Sequence, residues 1–130
     1  DQAIAMATMF LSEHIGVRAI LAMTESGGTA RFLSRFRSNA PIYAFSRHDG
    51  ARRKMAMIRD VFPIAFDSRG LAPREAARDA MRMLRDRDLL TTGDRVVFTS
   101  GDHMEQHGAT NTLRLLQIGA DGKAEGLGEL

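Results

Sequence analysis

The chain has 130 residues, 44% hydrophobic and 26% charged, with a formal net charge of +2, which suits one globular domain with its own core. No apolar run approaches the roughly 20 residues of a membrane span, the early segment carries Glu13 and His14 rather than a secretory-leader pattern, and the lack of cysteine excludes disulfides and thiolate chemistry and fits a reducing, cytoplasmic setting. Only Lys54 and Lys123 are lysines, and Arg is interspersed with Asp, as in Arg82-Met83-Leu84-Arg85-Asp86-Arg87-Asp88, so the basic residues read as a solvated helix face; neither nucleic acid nor membrane is expected as a partner.

Gln2 to His14 carries apolar residues at near-helical spacing (Ile4, Ala7, Met9, Phe10, Leu11), and Gly16 is a natural stop. Val17 to Met23 is almost continuously apolar, which predicts a strand buried on both faces. A second helix over Gly28 to Arg37 presents Phe32, Leu33 and Phe36. Pro41 opens strand two, Ile42 to Phe45, and a third helix is expected over His48 to Arg59. Strand three, Val61 to Phe66, contains Pro63, which places it at an edge or makes it irregular. After a loop over Asp67 to Ala72, Pro73 sits at the first turn of a long helix to Asp88. Strand four is Arg95 to Ser100, a polar loop spans Gly101 to Thr110, and strand five is Thr112 to Ile118. Met55, Met57, Met81 and Met83 read as core filler. This α/β alternation predicts mostly parallel strands. The connection from strand four to strand five has no room for a helical crossover, so strand five should lie antiparallel beside strand four.

The segment between strand one and helix two is Met23-Thr24-Glu25-Ser26-Gly27-Gly28-Thr29-Ala30. It has two adjacent glycines that admit positive φ, three hydroxyls, exposed backbone N–H groups and a helix start. Thr24, Glu25, Ser26, Gly27, Gly28 and Thr29 therefore form a candidate cradle for a phosphate or carboxylate. Taken alone, the same residues also read as a plain cap of the next helix by Ser26 or Thr29. The spacing matches neither a Walker A loop nor G-x-G-x-x-G.

Val96-Val97-Phe98-Thr99-Ser100-Gly101, followed by Gly108-Ala109-Thr110-Asn111-Thr112, is the second informative element. If strand four lies beside strand one, both polar loops open on one crevice beyond the carboxyl ends of the strands. Together with Ala19 to Arg31, Ser34-Arg35-Phe36-Arg37, Ala40-Pro41-Ile42 and Gly93-Asp94, over roughly residues 2 to 119, these motifs resemble the C-terminal domain of pyruvate kinase. The resemblance implies a three-layer α/β/α domain at residues 1–119 with a mixed five-stranded sheet of order 3-2-1-4-5, strand five antiparallel, and a loose tail at 120–130. It implies a regulatory role: binding of a phosphorylated sugar or nucleotide effector, contact with the rest of a pyruvate kinase chain, and a share in a homotetramer. It maps the phosphate loop onto Thr24 to Thr29 and an effector-covering loop onto Ser100 to Thr110. Asp102, His103, His107 and Gly108 are then candidate lid residues, and Arg74 a candidate effector-contacting cation or a surface Arg of its helix's first turn.

This chain departs from the proline- and glycine-rich lid of many relatives, reading Asp102-His103-Met104-Glu105-Gln106-His107 instead. His103 and His107 have no evident third metal ligand between Gly101 and Gly108, so no metal site is expected. Thr24, Ser26 and His107 lack a nucleophile-elbow context. The family's metal-binding carboxylates, catalytic Lys and K⁺ site belong to a barrel domain whose motifs do not occur here. No cofactor or catalytic residue is thus expected in this chain; Mg²⁺ and K⁺ are implied only for the barrel, and the chain alone is expected to be inactive. Asp1-Gln2 runs directly into a helix without a starting Met, so a domain cut from a longer chain is expected. The alternative is a subunit-packing module with no effector.

Overall fold

In the computed structural model, residues 2–36, 39–101, 110–119 and 124–125 are described. Along the chain they form α1 (Gln2–Ile15), β1 (Ala19–Met23), α2 (Gly28–Ser34), β2 (Ile42–Ser46), α3 (Asp49–Met55), β3 (Val61–Ala65), α4 (Pro73–Asp86), β4 (Arg95–Gly101), β5 (Thr110–Ile118) and β6 (Ala124–Glu125). The sheet order is β3-β2-β1-β4-β5-β6. β1 pairs parallel with β2 (Ile20 opposite Ile42) and with β4 (Ala19 opposite Val96), β2 pairs parallel with β3, and β5 runs antiparallel to β4. The expected order 3-2-1-4-5 is present. The two-residue β6, paired antiparallel with the end of β5, adds to it a strand that the sequence did not suggest.

Every residue of β1 and β2 is buried, as a strand covered on both faces requires. Alternate side chains go to opposite layers. Leu21, Met23, Phe45, Val96 and Phe98 pack with Ala76, Ala77, Ala80, Met81 and Leu84, all on α4. The alanine face lets α4 approach the sheet closely. Pro73 stands at its start, and the Glu75 carboxylate accepts the Ala72 N–H at 3.2 Å. Ile20, Ala22, Ile42 and Ala44 pack on the other face with Ala5, Met9, Ala30, Leu33 and Met55, from α1, α2 and α3. The result is three layers, α/β/α.

Three local expectations change. The inward face of α1 is Ala5, Thr8, Met9 and Ser12, whereas Phe10 is 65% exposed. The buried hydroxyls of Thr8 and Ser12 donate to the carbonyls of Ile4 and Thr8 at 2.7 and 2.8 Å, which satisfies them within the helix. Helix α3 ends at Met55 rather than Arg59: Met57 and Ile58 donate to the carbonyls of Lys54 and Met55 in tightened turns, and Asp60 has φ of 62°. Met55 is fully buried and Met81 nearly so, but Met57, beyond that helix end, is 89% exposed and is no core filler. Pro63 lies on the edge strand, as its missing N–H demands. Among the described residues, no helix is long and apolar enough to cross a membrane.

Phe98 is fully buried on β4 between β1 and β5. Phe98→Ala is expected to lower unfolding free energy by about 3–5 kcal/mol, read as a reduced midpoint in urea denaturation with an unchanged slope.

Candidate functional site

The loop between β1 and α2 leaves the sheet in a defined way. The Thr24 N–H donates to the Phe45 carbonyl at 3.0 Å and so extends the parallel ladder by one residue. Gly27 then turns the chain with φ of 90° and caps α2. The N-cap is Gly27 rather than Ser26 or Thr29. Of the two glycines, only Gly27 has positive φ. A Cβ on Gly27 would stand 2.9 Å from Cγ of the buried Met55, so the loop backbone rests directly on α3. A Cβ on Gly28 would meet only Ser26 Oγ, at an ordinary 3.5 Å.

The hydroxyls act first within the loop. Thr24 Oγ1 accepts the Gly27 N–H at 2.9 Å, and Ser26 Oγ accepts the Gly28 N–H at a long 3.4 Å. A hydroxyl that accepts from a backbone N–H keeps its own proton to donate. Thr24 is half-buried, Ser26 exposed, Gly28 half-buried, and Gly27 and Thr29 buried. The open end of the loop therefore presents Ser26, Gly28 and part of Thr24.

Glu25 is engaged differently. Its side chain is only 5% exposed and its carboxylate is held by His48 Nε2 and, at 3.5 Å, by Arg47 Nη2. Ser46 Oγ donates to the Glu25 carbonyl at 3.4 Å. A buried carboxylate is tolerated only when paired, and these partners tie the glycine loop to the segment after β2. Glu25 thus serves as the strut of the loop. Sequence reading missed Arg47 and His48; the available signal was their place immediately after a fully buried parallel strand, where such sheets gather ligands.

β4 ends beside β1, with Thr99 opposite Ala22. The hydroxyls of Thr99 and Ser100 are buried and have no hydrogen-bond partner among the described residues. Asp102, His103, His107 and Gly108 lie outside the described residues. Arg74 is exposed in the first turn of α4.

A cleft of about 400 Å³ adjoins this region at the ends of β2 and β3, lined by Arg47, Arg52, Ala65, Phe66, Asp67 and Arg69. Arg69 grips Asp67 with Nη2 at 2.7 Å, with Nε at 3.0 and 3.2 Å, and with its backbone N–H at 3.0 Å. These side-chain and backbone hydrogen bonds from Arg69 lower the Asp67 pKa from 3.8 to about 2.

The family described as "Pyruvate kinase, alpha/beta domain" matches residues 2–116. Pyruvate kinase II of Salmonella typhimurium strain LT2 is 45% identical over 121 residues, covering 91% of this chain and 25% of that protein. The pyruvate kinase of Buchnera aphidicola subsp. Schizaphis graminum is 42% identical over 119 residues, covering 91% and 24%. That of Haemophilus influenzae strain Rd is 33% identical over 113 residues, covering 86% and 23%. The chain spans about a quarter of the length of the curated relatives it matches.

Two outcomes follow from this geometry. Gly27→Ala forces a Cβ into the left-handed region and against Met55; it should cost about 1–3 kcal/mol in chemical denaturation, whereas Gly28→Ala should cost less. Asp67, with its pKa lowered, stays ionised in the folded chain far below the unfolded value, so its contribution to stability is present above pH 3.8 and is lost as pH falls toward 2. A carboxyl ¹³C titration should give a midpoint near 2 for Asp67, and Arg69→Gln should return it toward 3.8.

Proposed function

The chain belongs to the pyruvate kinase alpha/beta-domain family, and we propose that it is the regulatory C-terminal domain of a cytoplasmic pyruvate kinase, binding a phosphorylated sugar or nucleotide through the Thr24–Thr29 loop. In this reading, transfer between phosphoenolpyruvate and ADP, with its Mg²⁺ and K⁺, is carried by the remainder of the enzyme, and the domain conveys effector binding to it. The observation that carries the proposal is the hydroxyl pair. Thr24 and Ser26 accept loop N–H bonds and retain O–H donors at the open end of a glycine turn held rigid by Glu25 and Met55. Hydroxyl donors fixed before the ligand arrives lose little entropy on binding a dianion. The buried, unpartnered hydroxyls of Thr99 and Ser100 add polar groups at the adjoining strand end. Arg74, Asp102, His103, His107 and Gly108 are proposed to close over the effector.

A second reading has its own observation. The outer face of α1 exposes Met6 by 54% and Phe10 by 65%, the latter stacked on His14 with ring centroids 4.1 Å apart. Such apolar groups suit packing against another part of the enzyme or another subunit of a tetramer. The two readings are compatible, and only the first requires a ligand.

Calorimetric titration of the chain with a panel of sugar phosphates and nucleotides tests the first. Binding should weaken about tenfold in Ser26→Ala, the expected loss of one hydrogen bond to a charged group. It should vanish in Gly28→Val, which the backbone accommodates but which covers the loop mouth. A panel with no binder, or affinities unchanged in both variants, would leave the subunit-packing reading.

A further inference from the structure

We propose that the arginine-lined cleft at the ends of β2 and β3 is a second anion site, separate from the glycine loop, that takes a small soluble phosphate monoester. The cleft carries three guanidinium groups against one carboxylate. Asp67 is already matched by Arg69, and the carboxylate partners of Arg47 and Arg52, Glu25 and Asp49, are not among the residues that line the cleft. These two are not free surface arginines. Their side chains are 29% and 24% exposed, against 72% for Arg53 and 60% for Arg69. Both are anchored: Arg52 Nη1 donates to the Ser46 carbonyl at 2.9 Å and its Nη2 to Asp49 at 3.5 Å, while Arg47 Nη2 faces Glu25 at 3.5 Å. A guanidinium has five N–H donors, so both keep donors in hand. Arg47 Nε is buried and has no acceptor among the described residues, so Glu25 does not satisfy the whole guanidinium.

The rest of the lining fits an organic ester. Phe66 is half-buried, edge-on to Phe45 with centroids 5.7 Å apart, and offers an apolar wall. The volume of about 400 Å³ lies within the usual range of small-molecule sites. Partly buried arginines with N–H donors left over are the residue type that suits phosphate oxygens. Arg47 is also the partner of Glu25, so an anion in the cleft competes with the carboxylate that braces the glycine loop. The two sites are thereby coupled through one side chain.

The test is a ¹H–¹⁵N titration of the arginine Nε–H signals of the chain with inorganic phosphate and with phenyl phosphate, at ionic strength fixed with chloride. Saturable shifts of Arg47 and Arg52 are expected, with tighter binding of phenyl phosphate. Arg52→Gln should weaken binding about tenfold. Asp67→Asn, at an exposed position that tolerates change, should strengthen it roughly two- to fivefold by removing a like charge. Gly28→Val should leave the cleft response intact. Shifts abolished by Gly28→Val would place the anion on the glycine loop and overturn the proposal. So would affinities indifferent to both Arg52→Gln and Asp67→Asn, or chloride displacing phosphate at equal strength. An absence of effector binding at the loop with these cleft shifts retained would refute the loop reading alone.

Discussion

The domain is organised around the burial of one short strand. All five residues of β1 are enclosed, with parallel partners on both sides and helices on both faces. Such a strand has no polar surface of its own and no solvent to satisfy its backbone, so its ladder must be complete and its end abrupt. The chain can become polar only after Thr24, whose N–H makes the last bond to Phe45. Every hydroxyl and glycine of the candidate site is therefore compressed into the few residues between that bond and α2. The loop's chemistry and its rigidity have the same origin.

Rigidity is completed from a distance. Met55, at the end of α3, fills the space under Gly27, and the Arg47 and His48 side chains, just after β2, hold Glu25. The loop is therefore fixed by the strand next to its own rather than by its neighbours in sequence. A helix of seven residues contributes little intrinsic stability, so α3 is itself held by the same contacts. The loop and α3 order one another.

The sequence made the sheet legible because the apolar runs at 19–23, 42–45 and 96–98 have no other soluble explanation, and because the short link before β5 leaves only an antiparallel return. The glycine loop was legible for a similar reason: Ser-Gly-Gly-Thr after a buried strand is local information. The Glu25 pairing was not, since its partners stand 22 and 23 positions further on and meet it only through the register of β1 with β2. Helix ends were also obscured. Ala56, Met57 and Ile58 continue an acceptable helical composition, and only the strain of reaching the edge strand through Asp60 ends α3 early. On α1, apolar residues at Met6 and Phe10 mask the true inward stripe, which uses two hydroxyls bonded back to their own helix.

Pro63 has a consequence for the free edge of the sheet. Phe66 donates to the Ser46 carbonyl, so by alternation the N–H groups of Ile64 and Phe62 also turn toward β2, and those at positions 63 and 65 turn outward. Proline thus occupies a position where the ladder loses nothing, and it deletes a donor from the side that faces away from the protein. An incoming strand would find a gap in the row of donors beside the 52%-exposed ring of Phe62, the place where an apolar edge would otherwise template fibrillar growth. One imino acid lets this edge strand remain apolar without becoming adhesive.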